Sequence, residues 1–419
     1  MIGSIARMLR RLRGDDRGNL LLMAGAALTG LVGAAGIGVD TVQWYLWKRQ
    51  MQQAVDTGAV AGAIAMAYGR DHSISVNSEV SRTANTAYTI EAINTPPTSG
   101  AYLGDASAIE VIATTSQTLP FSSVFLPTAP TIRTRAVATT VAVGTPCVLA
   151  VATSGTGIEV FGGAQVGLDC PVASNSPGGV SVDVGGSSYL DSDLIMSVGG
   201  IDYGSENIPG DAAIVPYGLP VEDPLANRPL PYSSTGCVAN NYNVNPNSYA
   251  EPTPGTYCNG MRIQGTVKLH GGVYVIKGGT LAITSQADVS LYGDGGVTFV
   301  LTGTNANNVA TISINGGAEI DLRAPTSEEN ATWSGILFYQ DPMGAATHTV
   351  NGGSDINLEG IIYMPTGDLT YNGDSTQEAQ CLLIVTERIR FGGTNNIENN
   401  CNPDINGWQG TARVIRVVE

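Results

Sequence analysis

An uncharged apolar run near the start of the chain sets the strongest limit on how this sequence folds. Residues Asn19 to Val39 (NLLLMAGAALTGLVGAAGIGV) contain no ionisable side chain across 21 positions. As a helix the run is about 31 Å long, enough to cross the hydrocarbon core of a bilayer once. The sequence therefore predicts a transmembrane helix at residues 19–39. A signal peptide is the competing interpretation of a basic segment followed by an apolar run.

Charge is divided on either side of this run. Residues 1–18 form a basic tail, whose first 17 positions carry a net charge of +3, whereas residues 146–419 carry −18. The positive-inside rule keeps the tail in the cytoplasm and predicts a single-pass inner-membrane protein with its bulk in the periplasm or at the cell surface. An acidic surface repels phosphates, so we expect no nucleic-acid partner.

Small residues within the run permit a partner helix in the membrane. Gly25, Gly30, Gly33 and Ala34 are candidates for close helix packing, because small side chains at four-residue spacing let two backbones approach. Glycine is also common in membrane helices that have no such partner. Both interpretations stay open.

Residues 40–145 predict a long helix followed by a small α/β head. The helical pattern continues from the apolar run to Tyr68, and a second helix is expected at about Ser75 to Ile93. Alternating β-branched residues predict strands at 108–115 and 132–143. We therefore expect one long rod, partly in the membrane and partly outside it, that carries the head.

A series of motifs follows in order across residues 14–67. It consists of Arg17-Gly18, the apolar run, Gly38-Val39-Asp40, the stretch WYLWKRQ, and MQQAVD leading to Ala61-Gly62-Ala63. This order resembles the TadG-like (TadE/TadG) N-terminal segment of tight-adherence (Flp) pilus assembly proteins. The resemblance implies a non-enzymatic membrane scaffold, anchor or docking protein with a pilin-like head. It also implies pilin-like or other pilus assembly proteins as partners of the helix and head.

Glycine pairs recur through residues 146–419 in a degenerate repeat of apolar and polar residues around Gly-Gly or Asn-Gly. The repeat begins at Val160, Val184, Leu269, Ile276, Ile314, Val350, Tyr371 and Phe391. The spacing varies, with gaps of 23 residues (Gly162 to Gly185), 21 (Gly296 to Gly317) and 36 (Gly317 to Gly353). Gaps of about 20 residues favour a right-handed β-solenoid, whose corners need residues that tolerate positive φ. A β-sandwich or jelly roll is the alternative, because Asn-Gly and Gly-Gly are also hairpin signals. The predicted fold class is α+β multidomain.

All six cysteines lie within residues 146–419. An even number on the side predicted to be outside the cytoplasm indicates disulfides in an oxidising compartment. Fifteen pairings are open. Separations of 23, 21 and 20 residues favour Cys147 with Cys170, Cys237 with Cys258, and Cys381 with Cys401.

The sequence carries no recognisable catalytic or metal-binding motif, so we expect neither an enzyme nor a cofactor. His72, His270 and His348 are far apart and are expected at solvated turns, corners or edges. The stretch Tyr292-Gly293-Asp294-Gly295-Gly296 is expected to be a turn. Asp191 with Asp193 and Glu222 with Asp223 are expected to be solvated acids rather than calcium ligands.

Two further functions remain as alternatives to pilus assembly. One is a surface adhesin or carbohydrate-binding module, for which exposed aromatic side chains would be the mark. The other is a β-solenoid polysaccharide hydrolase, which would need a close pair of carboxylates. For residues 146–419 the partners considered are peptidoglycan, the secretin and a surface glycan.

Overall fold

The computed structural model is mostly β, with one long N-terminal helix. It describes residues 17–124, 126–223, 225–226, 232, 236–353, 356–373, 378–379, 381–397 and 411–419, with side chains except at 17–22, 378–379 and 395–397. The basic tail before residue 17 and Cys401 lie outside the described residues. The chain forms unit 1 (residues 1–141 and 415–419) and unit 2 (residues 142–414). The predicted β-repeat domain begins at residue 146 and runs to residue 419, whereas unit 2 begins at residue 142 and residues 415–419 belong to unit 1.

Two helices belong to unit 1: α1 (Arg17–Ala67) and α2 (His72–Thr83). Alanine, glutamine and methionine favour the helix, and no proline interrupts α1. The chain leaves α1 through Gly69, whose φ of +63° is the left-handed conformation that ends many helices. The expected continuous rod from the apolar run into the head is confirmed as a helix of 51 residues.

The strands are numbered in chain order. They are β1 (Thr89–Asn94), β2 (Ala108–Ser116), β3 (Thr131–Gly144), β4 (Val148–Ala150), β5 (Ile158–Val160), β6 (Gln165–Leu168), β7 (Val172–Ser174), β8 (Val182–Val184), β9 (Tyr189–Ser192), β10 (Leu194–Ser197), β11 (Ile201–Tyr203), β12 (Ala213–Val215), β13 (Ala239–Val244), β14 (Tyr249–Ala250), β15 (Gly255–Ile263), β16 (Thr266–Lys277), β17 (Thr280–Ile283), β18 (Asp288–Thr302), β19 (Thr311–Ile314), β20 (Glu319–Arg323), β21 (Ile336–Gln340), β22 (Ala346–Asn351), β23 (Ile356–Gly373), β24 (Glu378–Ala379), β25 (Leu382–Ile397) and β26 (Ala412–Val417). Short 3₁₀ turns occur at Ser122–Val124 and Ala306–Asn308.

The second helix differs from the prediction of Ser75 to Ile93, because it begins earlier and ends at Thr83. It begins earlier because the Asp71 carboxylate accepts a hydrogen bond from the Ser73 N–H at 2.8 Å, which caps its first turn. Residues 89–94 form strand β1 instead, antiparallel to β2. The sheet satisfies the backbone of this β-branched segment, so pairing overrides its weak helical periodicity.

Unit 1 packs its helices against a sheet of order β1-β2-β3-β26. Strands β2 and β3 pair antiparallel without interruption from Ala108 opposite Thr139 to Ser116 opposite Thr131. A core of fully buried side chains from both helices and the sheet holds the layers together. It includes Val55, Ala59, Val76, Val80, Ile109, Val111 and Ala136.

Each strand pairing described within unit 2 is parallel, and most join a strand to the second or third strand further along, as β16 joins β18 and β6 joins β9. The β-sandwich alternative was based on hairpins, which join antiparallel strands, and these parallel pairings are not hairpins. Parallel register stacks equivalent side chains on successive strands. Tyr274, Phe299 and Phe338 form such a buried column, with ring centroids 5.5 Å apart at both contacts.

Candidate functional site

Helix α1 has two halves with opposite surroundings. Residues 23–50, here called the exposed half, present Met23, Leu28, Leu31 and Ile37, each more than half exposed. Within the described residues, one helix, Met23–Ala67, is long and apolar enough to cross a membrane. An apolar surface of this extent is rarely left in water, so the exposed half is the first candidate for a functional surface.

Residues 51–67, the packed half, hold α1 to the head. Met51, Val55 and Ala59 are buried. A Cβ added at Gly58 would lie 2.5 Å from Val80 Cγ2, and one added at Gly62 would lie 2.5 Å from Ile109 Cδ1. Glycine at these two positions is therefore what lets α1 approach α2 and β2 so closely.

The small residues predicted to pack in the membrane lie in open surroundings. A Cβ added at Gly25, Gly30 or Gly33 would meet no atom within 4 Å in the part of the chain that the structure describes. Ala34 is also exposed. These positions are accessible to lipid or to a partner helix, and their packing role stays a prediction.

One face of α1 continues the buried stripe into the exposed half. Gly36 and Asp40 are buried one turn apart, at helical spacing from Trp47 and Met51 further along. The residues that cover them lie in the connection between β2 and β3, here called the apolar loop, whose described residues are 117–124 and 126–130. The ring of Phe121 rests on Gly36, where an added Cβ would lie 2.6 Å from Phe121 Cδ1.

Asp40 fixes the apolar loop by hydrogen bonds. Its carboxylate accepts from the backbone N–H of Phe121 at 3.1 Å, and from the backbone N–H and the hydroxyl of Ser122. These donors satisfy a buried carboxylate at the end of an apolar run, where an unpaired charge would be costly. Asp40 is therefore a positioning residue that sequence reasoning noted only as part of a motif.

A second buried carboxylate, Glu110, organises the head. Its side chain is fully buried beside Arg135, and Arg135 also binds Glu419. Burial alone would raise the pKa of Glu110, but hydrogen bonds from Asn94, Thr98 and Arg135 outweigh it and lower the pKa to about 2. The ionised network ties the turn after β1 to strands β2 and β3, and its role is structural.

The structure places two of the predicted cysteine pairs at disulfide distance. Cys147 and Cys170 are joined with their Cα atoms 5.8 Å apart, and Cys237 and Cys258 with theirs 5.7 Å apart. Cys381 is also disulfide-bonded. Its predicted partner, Cys401, lies outside the described residues.

The expectation that His348 is solvated is wrong, because its side chain is fully buried on β22. Its Nδ1 accepts a hydrogen bond from the Ile312 N–H at 3.2 Å, so its Nε2 proton is directed to Gln340 Oε1 at 3.0 Å. Burial lowers the pKa of His348 to about 4, which keeps the ring neutral. The space for this pair comes from Gly367, where a Cβ would clash with Gln340.

The remaining sequence candidates are dispersed over unit 2. Glu222 pairs with Arg413 at 2.9 Å, and Asp223 accepts a hydrogen bond from Tyr363 at 2.9 Å. Asp191 and Asp193 are exposed on and just after β9. The stretch from Tyr292 to Gly296 lies inside β18, where the register with β16 shifts, rather than in a separate turn.

Three carboxylates lie at matching positions on adjacent parallel strands. Glu159 on β5 pairs with Asp183 on β8, which pairs with Asp202 on β11. Burial, followed by the negative charges of Asp202 and Glu159, raises the pKa of Asp183. Arg390 binds Glu159 at 2.8 Å. A hydrolase built on this row of acids would therefore use Asp183 and Asp202, which lie on adjacent strands.

An exposed group on β14 to β18, here called the tyrosine cluster, was missed by sequence reasoning. Tyr249 and Tyr292 are 59% and 51% exposed. Tyr249 donates a hydrogen bond to Glu251, whose carboxylate lies 3.7 Å from His270 Nε2. The His270 ring packs on Tyr292 with centroids 4.4 Å apart. The cluster therefore combines two accessible aromatic rings with a carboxylate and an imidazole.

Within the described residues no group of three or more histidine, cysteine, aspartate or glutamate side chains is arranged to hold a metal ion. The chain matches no protein-family model, no curated protein and no solved structure.

Proposed function

We propose that the protein is a non-enzymatic, membrane-anchored envelope component of tight-adherence (Flp) pilus assembly, acting as scaffold, anchor or docking protein. The observation that carries the proposal is α1: its exposed half presents large apolar side chains such as Met23, Leu28 and Leu31, while its packed half lies under a small α/β head. A membrane helix continuing into a head of this kind is the arrangement that the motif resemblance at residues 14–67 implies.

The proposed topology is single-pass in the inner membrane. The arginines before residue 17 stay in the cytoplasm, and the head and unit 2 lie in the periplasm or at the cell surface. Disulfides in unit 2 suit an oxidising compartment outside the cytoplasm.

We propose that unit 2 is a right-handed β-solenoid that acts as a spacer or docking surface. Its parallel pairings between strands two or three apart, its stacked aromatic column and its corner glycines support this architecture. Peptidoglycan and the secretin are the structures towards which such a spacer would extend.

Photo-crosslinking in pilus-producing cells tests the partner. A photoreactive amino acid at Tyr45, which is 60% exposed on α1, should capture a pilin-like or assembly protein. The same group at the buried Met51 is the matched control and should capture none.

Deletion of the gene should reduce pilus number and adherence. Unchanged piliation and adherence would contradict the proposal.

The tyrosine cluster favours a second function, contact with a glycan. Tyrosine offers an apolar ring face for a sugar ring and a polar tip, and the nearby carboxylate and imidazole can bind hydroxyl groups. Full-length protein in detergent should sediment with purified peptidoglycan. Tyr249→Ala with Tyr292→Ala should lower the bound fraction several-fold, whereas Tyr217→Ala, at another exposed tyrosine, should not. Equal binding by all three proteins would remove this candidate.

A further inference from the structure

The apolar loop belongs to a long uncharged part of the head. Residues 111–132 contain no ionisable side chain across 22 positions. The first part of this segment is β2, which contributes to the core, but the loop itself is largely exposed. Phe121, Val124 and Leu126 are 44%, 76% and 48% exposed. Exposed loop tips are ordinarily polar, so a tip built from apolar side chains indicates a contact other than water.

The attachment point of the loop indicates what that contact is. Phe121 rests on Gly36, which lies inside the apolar run, and Asp40 binds the loop one helical turn further along. Trp44 and Tyr45 follow on the next turn and are exposed, as expected of side chains at a membrane interface. Gly36 precedes Trp44 by eight residues, about 12 Å along the helix axis. The loop is therefore attached on the hydrocarbon side of the aromatic residues.

The surroundings of Asp40 agree with a loop that is attached on the hydrocarbon side of the aromatic residues. An aspartate at the end of a membrane span requires water or protein donors, because lipid offers none. The loop supplies three donors, two from backbone N–H groups and one from the Ser122 hydroxyl. The carboxylate is buried with protein donors, while Phe121, Val124 and Leu126 of the loop stay exposed.

We propose that the apolar loop is a second membrane-contacting element, which inserts Phe121, Val124 and Leu126 among lipid acyl chains beside α1. This rests on the membrane span in the proposed function. The head would then contact the bilayer at two places, the helix and the loop. Two contacts restrict the tilt and rotation of the head above the membrane, which a single helix leaves free.

Fluorescence quenching tests the insertion in the full-length protein, reconstituted into vesicles of phosphatidylethanolamine and phosphatidylglycerol. An environment-sensitive fluorescent amino acid is placed at Val124, and the acyl chains carry bromine. Leu103 gives the matched control position: it is 66% exposed and lies in the connection between β1 and β2, at the opposite end of β2. We expect quenching of at least twofold at position 124 and none at position 103.

The possible outcomes separate the loop from the span. Resistance to alkaline carbonate extraction reports the span, and its loss would overturn both proposals. If the protein resists extraction but the probe at position 124 is unquenched and exposed to water, the loop does not insert into the bilayer. If the probe is shielded from water yet unquenched by brominated lipid, a protein covers the loop, and the proposed insertion is also wrong. Val124→Asp with Leu126→Asp should abolish quenching of a probe at position 121 without releasing the protein from the vesicles.

Discussion

The two halves of α1 have similar sequences but different surroundings. Both are rich in alanine and glycine, and both lack proline. In the packed half, Gly58 and Gly62 make room for side chains of the head, whereas a Cβ added at Gly30 or Gly33 in the exposed half would meet no atom of the described residues within 4 Å. A glycine or alanine in a helix therefore does not by itself show that another element packs closely at that position. In the proposed topology, lipid or another protein covers the part of the exposed half that the described chain leaves open.

The two halves of α1 also differ in the buried carboxylate that lies in or beside each of them. Asp40 in the exposed half and Glu110 beside the packed half are both buried and both hydrogen-bonded. Glu110 is paired with an arginine in the interior of the head, whereas Asp40 is held by neutral donors of one loop. Loss of Glu110 should affect the whole head, and loss of Asp40 should affect the loop.

The largest expected effect is that of Glu110→Ala. Removing this buried carboxylate takes one of two counter-charges from Arg135 and the shared acceptor from Asn94 and Thr98, at a cost of about 4 kcal/mol in the free energy of unfolding of unit 1. Denaturant unfolding of the full-length protein in detergent, followed by a signal from the head, measures it. A change below about 1 kcal/mol would show that the network does not hold the packed half in place.

The pH dependence of the same group has a definite sign. The pKa of Glu110 in the folded protein is about 2, below the ordinary 4.5, so the ionised carboxylate stabilises the fold above pH 4.5. This contribution is lost as the pH falls through about 2. The stability difference between wild type and Glu110→Gln should therefore shrink on acidification from pH 4.5 to 2. A difference that stays constant over this range would contradict the assigned pKa.

Much of unit 1 could be predicted from local pattern. The apolar run predicts the helix because length and absence of charge are local properties, and alternating residues predict β2 and β3 to within a residue at each end. The apolar loop could not be placed, because Asp40 meets Phe121 across 81 residues of sequence. The uncharged stretch at 111–132 was nevertheless a usable signal, since a loop without charge is unusual.

Unit 2 shows the same limit. The glycine repeat indicates recurrent turns at varying spacing, but a repeat does not tell which side chains face inward. His348 was expected at a solvated corner or edge because it stands near a Gly-Gly repeat, yet Gly367 and Gln340 on other strands provide a buried site for a neutral ring. The tyrosine cluster is assembled from β14 to β18 in the same way. Partners on separate strands are not visible in a single segment.

Loss of a single disulfide is the next largest effect, and reduction serves as a control for unit 1 because no cysteine lies there. The described bridges close loops with sequence separations of 23 and 21 residues. Each is worth about 3 kcal/mol in the chain-entropy account. Reductant should lower the unfolding temperature of unit 2 and leave that of unit 1 unchanged. Non-reducing peptide mapping checks the pairing, and free thiols at Cys147 or Cys237 would contradict it.

A substitution in each half of α1 compares their packing directly. Gly62→Val places a branched side chain against Ile109 and Val76, where even a Cβ would be 2.5 and 2.7 Å away. Overpacking should destabilise unit 1 by about 2 kcal/mol. The matched control is Gly30→Val, which meets nothing in the described chain and should leave the stability of unit 1 unchanged. If both variants destabilise the head equally, the division of α1 into two halves is wrong.

The smallest expected effect, and the most local, is that of Asp40→Asn. An amide keeps the shape of the carboxylate, but it lacks the negative charge that strengthens the hydrogen bonds from Phe121 and Ser122 to Oδ2, and its NH₂ group replaces Oδ1, which faces the Phe121 N–H at 3.3 Å. Amide hydrogen exchange should accelerate at Phe121 and Ser122 while the rest of the head is unaffected. Asp56→Asn, at a residue that accepts from Gln52 at 2.7 Å in the packed half, should leave exchange in the loop unchanged. Acceleration spread through β1 to β3 would show that Asp40, like Glu110, supports the whole head, and the distinction between the two carboxylates would be lost.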